Sequence, residues 1–485
     1  MLPQTKVNKK DGNTGVVKPG SKGICAIIAP CEKGTAALAS MHVKPDLAVA
    51  EFGSGVLTEG AAYVMQITGN PVLCIRATAS TAGTYGTVSH SGAGSSVATA
   101  TVGAPFDDFE IVVKFVAGGT VGVAGATYQV SINGGRDFGP VTALGTGNTI
   151  AIPTTGATLS LAAGTVLAGQ TESFKTTGPR LTSGDISAAL EALRISSQPW
   201  EFVLVLGHDA SSTTISTLDA WLTAREKEGR FRGFIVNGAM KGATSESAYT
   251  TAMDTAFSAS ASIRGCVAAD GGAFVSVIPG RAGYRTARPT SLAFAARLMA
   301  IPYGTDAALV SDNPIPGFEL GDGKGNPVYH DEALYPNLDD LRLVTLRTFD
   351  RRAGVYLTNP NVISPTGSDY VYAQHIRTMN RACEIAFDIL TTNLSKGVRE
   401  NPKIGPNNEK YIDEGDAQTM DDLVNTALNE LRGQVNDLRF KLSRTDDIGA
   451  NGPVTINAEL MVDSLSYIKQ FNVNASFVRA ISTQA

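Results

Sequence analysis

The residues best placed for acid–base chemistry in this chain of 485 residues are His208 and Asp209. They follow the apolar run Phe202-Val203-Leu204-Val205-Leu206, at the end of a strand where α/β sheets hold their ligands. A general base also needs a partner within hydrogen-bond reach, and Gly207 to Ser211 reads equally as a polar loop entering a helix. Gly321-Asp322-Gly323-Lys324-Gly325-Asn326 has the glycine content of a phosphate or calcium loop. Lys324 stands where a calcium loop needs a carboxylate, however, and no helix start follows to present its amides, so a hairpin turn is expected. Ser466-x-x-Lys469 matches a serine–lysine motif in letters only, because it falls between two strands rather than at a helix start. Arg281, Arg285 and Arg288 precede a helix and could gather an anion; a solvated loop or one that salt-bridges between domains is the stronger reading. Five histidines, none at ligand spacing, give no metal set. P-loop, His-Glu-x-x-His, Cys-x-x-Cys and Gly-x-Ser-x-Gly patterns do not occur. No catalytic, cofactor-binding or metal-binding residue is expected, and the chain is not read as an enzyme.

Composition narrows the field further. With 43% hydrophobic and 18% charged residues the chain belongs among folded globular proteins, and its length suits two to four domains. A formal net charge of −5 gives no basic field for nucleic acid. The opening residues lack the apolar stretch of a secretory signal, and no apolar run approaches the roughly 20 residues of a spanning helix. Cys25, Cys31, Cys74, Cys266 and Cys383 are scattered and set in apolar segments, as reduced core thiols of a cytosolic protein would be.

Hydrophobic period orders the chain. Residues 1–20 are polar and glycine-rich, an extended arm. Gly23 to Ala29 reads as a strand buried on both faces, a helix follows over Leu57 to Ile67, Gly69-Asn70-Pro71 stops it, and Val72 to Arg76 is a second strand: a β-α-β start. From 77 to 180 the composition turns to Gly, Ala, Ser and Thr, with strict alternation at Phe109, Ile111, Val113 and Phe115 and at Tyr128, Val130 and Ile132 before the turn Asn133-Gly134, so an inserted all-β domain is expected. The α/β pattern resumes at Thr182, with strands at Phe202 to Leu206, Phe231 to Val236, Cys266 to Ala268 and Phe274 to Ile278. Helices fall over Asp185 to Leu193, around Leu218, Trp221 and Leu222, and over Pro289 to Ala300. Phe318-Glu319-Leu320 and Val328-Tyr329-His330 read as the two arms of a hairpin.

A smaller domain is expected from 336 to 450. Its first helix starts near Ser368 with Tyr372, Ile376, Met379, Cys383, Ala386, Leu390 and Leu394 on one stripe. Its second follows Thr419 as cap, with Leu423, Ala427, Leu428 and Leu431 inward. In the tail, Val454, Ile456, Ala458, Leu460 and Val462 alternate with polar residues, as do Phe471, Val473, Ala475 and Phe477. Two amphipathic strands at one end of a chain and an arm at the other suggest strand exchange between copies. Pairing of both termini within their own domain is the alternative. The fold class is thus α/β and α+β multidomain: a mixed-sheet α/β core (21–76 and 181–335), an inserted all-β domain (77–180), a smaller C-terminal α+β domain (336–450), and N- and C-terminal arms (1–20 and 451–485).

Several of these segments resemble, in order along the chain, the contractile phage tail sheath proteins. They are Phe52-Gly53-Ser54-Gly55 with its helix, Gly69-Asn70-Pro71-Val72-Leu73-Cys74-Ile75-Arg76, Asp322 to His330, and Gly354-Val355-Tyr356-Leu357-Thr358-Asn359-Pro360-Asn361. The resemblance implies a structural subunit of a phage virion, assembled in the host cytoplasm as stacked hexameric rings around a tail tube. Its contraction would drive the tube through a bacterial envelope. It implies as partners other copies of the chain, the tube protein, and baseplate and terminator proteins, with no nucleic acid, no membrane insertion and no cofactor. It puts strand exchange on Val7, Val454, Ile456, Ala458, Leu460, Phe471, Val473, Ala475 and Phe477, and offers Arg377, Arg381, Asp421 and Asp422 as tube contacts. Three alternatives stay open: the sheath of a phage-derived bacteriocin or secretion machine, an α/β hydrolase-like enzyme with a β-rich binding insertion, and a surface adhesin.

Overall fold

Cys25–Ala29 (β1) is buried at every residue because it lies in the middle of a six-stranded sheet. In a computed structural model that describes residues 23–278, 281, 283–321, 328–405, 409–449 and 455–470, the chain divides into two compact units, Met1–Phe387 and Asp388–Ala485. Strands outside the insertion are numbered in chain order. With Ala39–His42 (β2), Val72–Arg76 (β3), Phe202–Val205 (β4), Gly233–Asn237 (β5) and Gly265–Ala268 (β6), the sheet order is β6-β5-β4-β1-β3-β2. All neighbours run parallel except the edge strand β2, which is antiparallel to β3.

The pleat divides each apolar run between two faces, which is why these strands read as continuous apolar runs rather than as alternation. Cys25, Ile27, Cys74, Leu204 and Ile235 pack on one face against Pro45–Phe52 (α1), Val56–Thr68 (α2) and Thr290–Ala300 (α6). Ala26, Ile28, Leu73, Val203 and Phe234 pack on the other against Ser183–Ile195 (α3), Ser212–Glu226 (α4) and Glu246–Phe257 (α5). Two glycines set the ends of α2. Gly55 has φ +135°, and a Cβ there would lie 2.9 Å from Cys31 Cα; Gly69 takes the left-handed C-cap at φ +67°, ψ 4°.

Gly271–Val275 (β7), Arg285–Pro289 (β8) and Phe318–Glu319 (β9) form a second, antiparallel sheet in the order β8-β7-β9. The expected hairpin is corrected here. β9 pairs with β7, and among the described residues Val328 and Tyr329 meet it through their amides at the Leu320 carbonyl, both at 3.1 Å, rather than as a paired strand. The glycine loop 322–327 lies outside the described residues. Leu346–Phe349 (β10) and Arg352–Leu357 (β11) make a hairpin. The stretch from 336 joins the first unit rather than a separate domain. Leu338, Leu343 and Ile363 enter one face's core and Val344, Leu346, Val355 and Leu357 the other. It also closes the sheet edge: Val344 N donates to Val267 O (2.8 Å) and Ile363 N to Gly265 O (3.0 Å).

Between 77 and 180 the described residues form strands and no helix. Phe109–Ala117 sits centrally, flanked by Thr171–Thr177 and Thr127–Ser131, and its burial alternates as its residues do. Phe109, Ile111, Val113 and Phe115 meet Ile150, Leu159 and Phe174 in a core of their own. The insertion leaves and re-enters through a two-strand neck in which Thr81 and Arg180 exchange backbone hydrogen bonds of 3.4 and 3.0 Å.

Ala373–Thr392 (α7) spans the boundary between the units. Its buried face carries Ala373, Ile376, Ala382, Ile385 and Ala386 together with Gln374, Arg377, Thr378 and Glu384, whereas Leu394 lies beyond the helix and is exposed. The second unit has a short hairpin, Glu400–Ile404 (β12) and Lys410–Ile412 (β13), then Glu414–Leu428 (α8), and the antiparallel pair Val435–Leu442 (β14) and Ala458–Ser464 (β15). α8 starts five residues before the expected cap. Asp413 is the N-cap, accepting from Gly415 N at 3.1 Å, and Thr419 lies inside the helix, donating its hydroxyl to Gly415 O. Ala417, Asp421, Val424 and Leu428 face inward, with Leu431 buried just beyond; Leu423 faces solvent.

Candidate functional site

β14 and β15 pair in register from Asp437↔Asp463 to Leu442↔Ala458. The alternation puts Leu438, Phe440 and Leu442 on one face opposite Val462, Leu460 and Ala458, and Arg439 and Lys441 on the other opposite Met461 and Glu459. α8 packs on β14: Asn425 both donates to and accepts from the Phe440 backbone, and Asp421 accepts from Leu442 N. Phe440 and Leu442 are therefore buried. Ala458 is exposed and Leu460 and Val462 are half-buried, so the apolar face of β15 extends past the helix that covers β14. Beside it an open cavity of about 740 Å³ is lined by Leu390, Leu394, Val398, Met420, Ile456 and Ala458, among others. Among the described residues β15 pairs with β14 alone. Of the residues expected to exchange strands, Ile456, Ala458 and Leu460 are described here; Val7, Val454, Phe471, Val473, Ala475 and Phe477 lie outside the described residues.

Two of the four charges offered as partner contacts are inside the protein. Arg377 is 1% exposed and meets Glu201 through Nε at 2.5 Å. It donates through a terminal nitrogen to the carbonyls of Ile301 and Pro302, both at 3.1 Å, and stacks 5.0 Å from the Tyr303 ring centre. Its charge is already spent within the first unit. Asp421 is buried and accepts from Leu442 N and Arg444, each at 2.8 Å. Arg381 is partly buried and pairs with Glu384 at 3.3 Å; Glu384 also pairs with Arg232. Asp422 is exposed and accepts from Gln418. Helical spacing placed Arg377 and Asp421 correctly on their helices, but spacing does not say which face a packed charge occupies.

The sheet's crossover point lies between β1 and β4, where α/β folds bind ligands. A cavity of about 240 Å³ opens there, lined by Pro30, Arg180, Gly207, His208, Asp209 and Asn237 among others. Its polar groups are satisfied from within. His208 lies between the Leu181 carbonyl (Nδ1, 2.6 Å) and the Thr214 hydroxyl (Nε2, 2.7 Å), so Nδ1–H donates and Nε2 accepts. Thr214 is buried and caps α4 with Ser211. Asp209 and Asp108 flank Arg180 at 3.9 and 3.0 Å. The N-terminus of α3 is closed by a Thr182–Asp185 capping box. Against a desolvation cost, hydrogen bonds from Ser80 and Thr182 hold the Asp185 carboxyl down to about 2. The imidazole thus acts as a strut between two loops.

Of the arginine cluster, Arg281 and Arg288 enter an interdomain ion network, which decides between a solvated and a salt-bridging loop. Arg288 reaches Glu59 on α2 through Nε at 2.6 Å and Asp107 of the insertion at 3.0 Å. Arg281 lies 3.6 Å from Asp107 and 4.7 Å from the Phe109 ring centre. All four charged groups are buried. Burial opposes ionisation of both acids. At Glu59 the pull of Arg288 and Arg281 overcomes it and holds the carboxyl below its ordinary value; at Asp107, which also feels Glu59 and Asp108, burial prevails and the carboxyl lies above it. With Arg288 held protonated by both acids against its own desolvation, we read the pair as ionised at neutral pH. Arg285 stands apart, half-buried on Glu319 at 2.5 Å. The partners Glu59 and Asp107 carried no signal in the sequence.

A second buried network holds the segment after β9. His330 bridges Glu246 of α5 and Glu332, 2.8 Å from each. Burial disfavours the imidazolium, but the hydrogen bonds to Glu332 and Glu246 outweigh it and raise the His330 pKa. Among the described residues no group of three or more His, Cys, Asp or Glu side chains is arranged to hold a metal, and no helix is long and apolar enough to cross a membrane. All five cysteines are free thiols.

A family model described as DUF2586, N-terminal domain, matches residues 2–361. No curated protein matches the sequence. Among solved structures, a chain of the anti-feeding prophage (AFP) baseplate, six-fold symmetrised, aligns over 98% of this chain and 99% of its own at a TM-score of 0.51 and 9% identity. A chain of the same baseplate in its contracted state aligns over 98% of both at 0.51 and 11%. A sheath tail protein of Desulfitobacterium hafniense aligns over 95% of this chain and 100% of its own, at 0.46 and 11%. At 9% and 11% identity, the AFP baseplate chains share the fold of this chain.

Proposed function

We propose that this chain, which belongs to the DUF2586 family, is a non-enzymatic structural subunit of a contractile tail sheath. It polymerises with its own copies as stacked hexameric rings around a tail tube and contracts to drive that tube through a bacterial envelope. The observation that carries the proposal is β15, whose apolar face at Ala458, Leu460 and Val462 is incompletely covered and which among the described residues pairs with β14 alone. Two-stranded sheets are marginal alone, and an open edge with a matching apolar face accepts another chain's strand by backbone hydrogen bonding. The donors we propose are the neighbouring copies' segments around Val7, Val454, Phe471, Val473, Ala475 and Phe477. Rings of six and a contracted form are carried over from the AFP baseplate assemblies whose chains share this fold. The stretch 336–450 would face the tube, with the exposed Asp422 and the partly buried Arg381 as the charges nearest to hand, and the insertion at 77–180 would face outward. Baseplate and terminator proteins would be the partners at the two ends, in a virion assembled in the host cytoplasm.

The fold shared with AFP favours, as a second form of the same proposal, the sheath of a phage-derived particle rather than of a virion. Removing residues 452–485 tests both. The expected result is loss of the hollow cylinders visible by negative-stain microscopy, with the melting transition of the first unit unchanged. Cylinders that still form would refute strand exchange as the means of assembly.

A further inference from the structure

We infer that the buried charges of Glu59, Asp107, Arg281 and Arg288 form a lock that makes the β insertion one rigid body with the α/β core, rather than an appendage hinged at its neck. The backbone of the neck is a poor candidate for rigidity. Its two crossings meet in one isolated bridge, Thr81 with Arg180, reinforced on an exposed face by Ser80 donating to Asp185. Two short extended segments joined this way can bend and twist. The third attachment is of another kind. Asp107 enters the core side of the boundary and is 4% exposed; Arg288, which receives it, is 2% exposed and simultaneously holds Glu59, 229 residues away in sequence and fully buried. Thr176 fixes the Asp107 backbone by donating to its carbonyl at 2.9 Å while accepting from Phe109 N, so the aspartate cannot move without the central strands of the insertion.

Charge balance makes the attachment all-or-none. Closed, two guanidiniums face two carboxylates. Swung open, the insertion would take Asp107 and the Phe109 ring with it, leaving Glu59 to compensate two arginines. Arg281 is the sensitive member: it is 1% exposed and among the described residues none of its three guanidinium nitrogens has a hydrogen-bond acceptor, so it is held by the nearby Asp107 charge and the Phe109 ring, with Glu59 beyond. Uncompensated buried charge is costly enough that intermediate angles are excluded. The consequence for an assembly is that whatever rotation the core makes, the insertion makes too.

Hydrogen exchange on the soluble wild-type protein tests this independently of polymerisation. The amides of Thr81 and Arg180 in the neck, and of Phe109 and Gly178 beside the lock, are expected to exchange within about 10-fold of those in β1, because opening the neck requires opening the unit. Neck amides exchanging 100-fold or more faster than both β1 and the insertion's own central strands, on the order expected of a local hinge, would overturn the lock. Spin labels at the exposed positions Val123 and Ala188 give the complementary reading. The distance distribution should be narrow in the wild type and at least about twofold broader in Asp107→Asn, since removing one partner of a buried network frees the rest. A folded Asp107→Asn protein with an unchanged distribution would also overturn the lock.

Discussion

Replacing Arg377 by Met should destabilise the first unit by about 3–5 kcal/mol, the usual penalty for breaking a buried ion pair from one side. The substitution keeps side-chain length and apolar volume, so the loss comes from what the guanidinium leaves behind. Glu201 would remain 4% exposed with a charge and, among the described residues, the backbone amide of Gly23 (3.2 Å) as its remaining side-chain hydrogen bond, and the carbonyls of Ile301 and Pro302 would lose their shared donor. For a unit of this size the melting temperature should fall by roughly 4–6 °C. Glu201→Leu should cost a similar amount by stranding Arg377. The double variant Arg377→Met/Glu201→Leu should recover most of both losses, because a well-packed apolar pair often matches a buried ion pair in stability. Calorimetry of the four soluble proteins closes the cycle, with a coupling on the order of 3 kcal/mol expected. If Arg377 instead faced a partner in the assembly, Arg377→Met alone would move stability by no more than about 0.5 kcal/mol; that result, or strict additivity in the cycle, would refute the placement.

Leu460→Asp should reduce cylinder formation while leaving the circular dichroism of the free subunit unchanged, because the residue is half-exposed in the free subunit and the proposed strand exchange would cover it. The His330 pKa is raised in the folded protein, so its stabilising contribution is complete below about pH 6.5 and is lost as pH rises through the folded value. Wild type should therefore lose more melting temperature on alkaline titration than His330→Gln, and equal slopes would argue against an imidazolium between Glu246 and Glu332. Asp413→Ala should cost about 1 kcal/mol as loss of a helix cap, whereas Thr419→Ala should stay within about 0.5 kcal/mol; denaturant melts of the second unit would reveal the reverse order if the helix began at Thr419.

Much of the architecture was legible because it is written at short range. β1, β3, β4 and β5 announce themselves as apolar runs, α2 as a run closed by Gly69, and the strand at Phe109 by alternation that its burial follows residue by residue. α5 escaped notice because only Tyr249, Met253 and Phe257 of its residues are buried, one per turn in a background of Ser, Thr and Ala. β2 is a short edge strand with one paired side, and β8 is an arginine-bearing strand whose Arg288 is buried only because acids from two other elements meet it.

By itself, then, the residue order determined where the most apolar segments are extended or helical, that the insertion has its own core, and that Ala458 to Val462 are extended, since each of these depends on neighbours within a few positions. Tertiary structure alone decided which charges are inside, that β9 pairs with β7, that 336–387 belongs to the first unit, and that the described residues leave the apolar face of β15 partly uncovered. Those outcomes depend on partners brought from far along the chain, such as Glu59 to Arg288 and Glu201 to Arg377, and a charged residue on a helix looks the same in sequence whether water or an opposite charge awaits it.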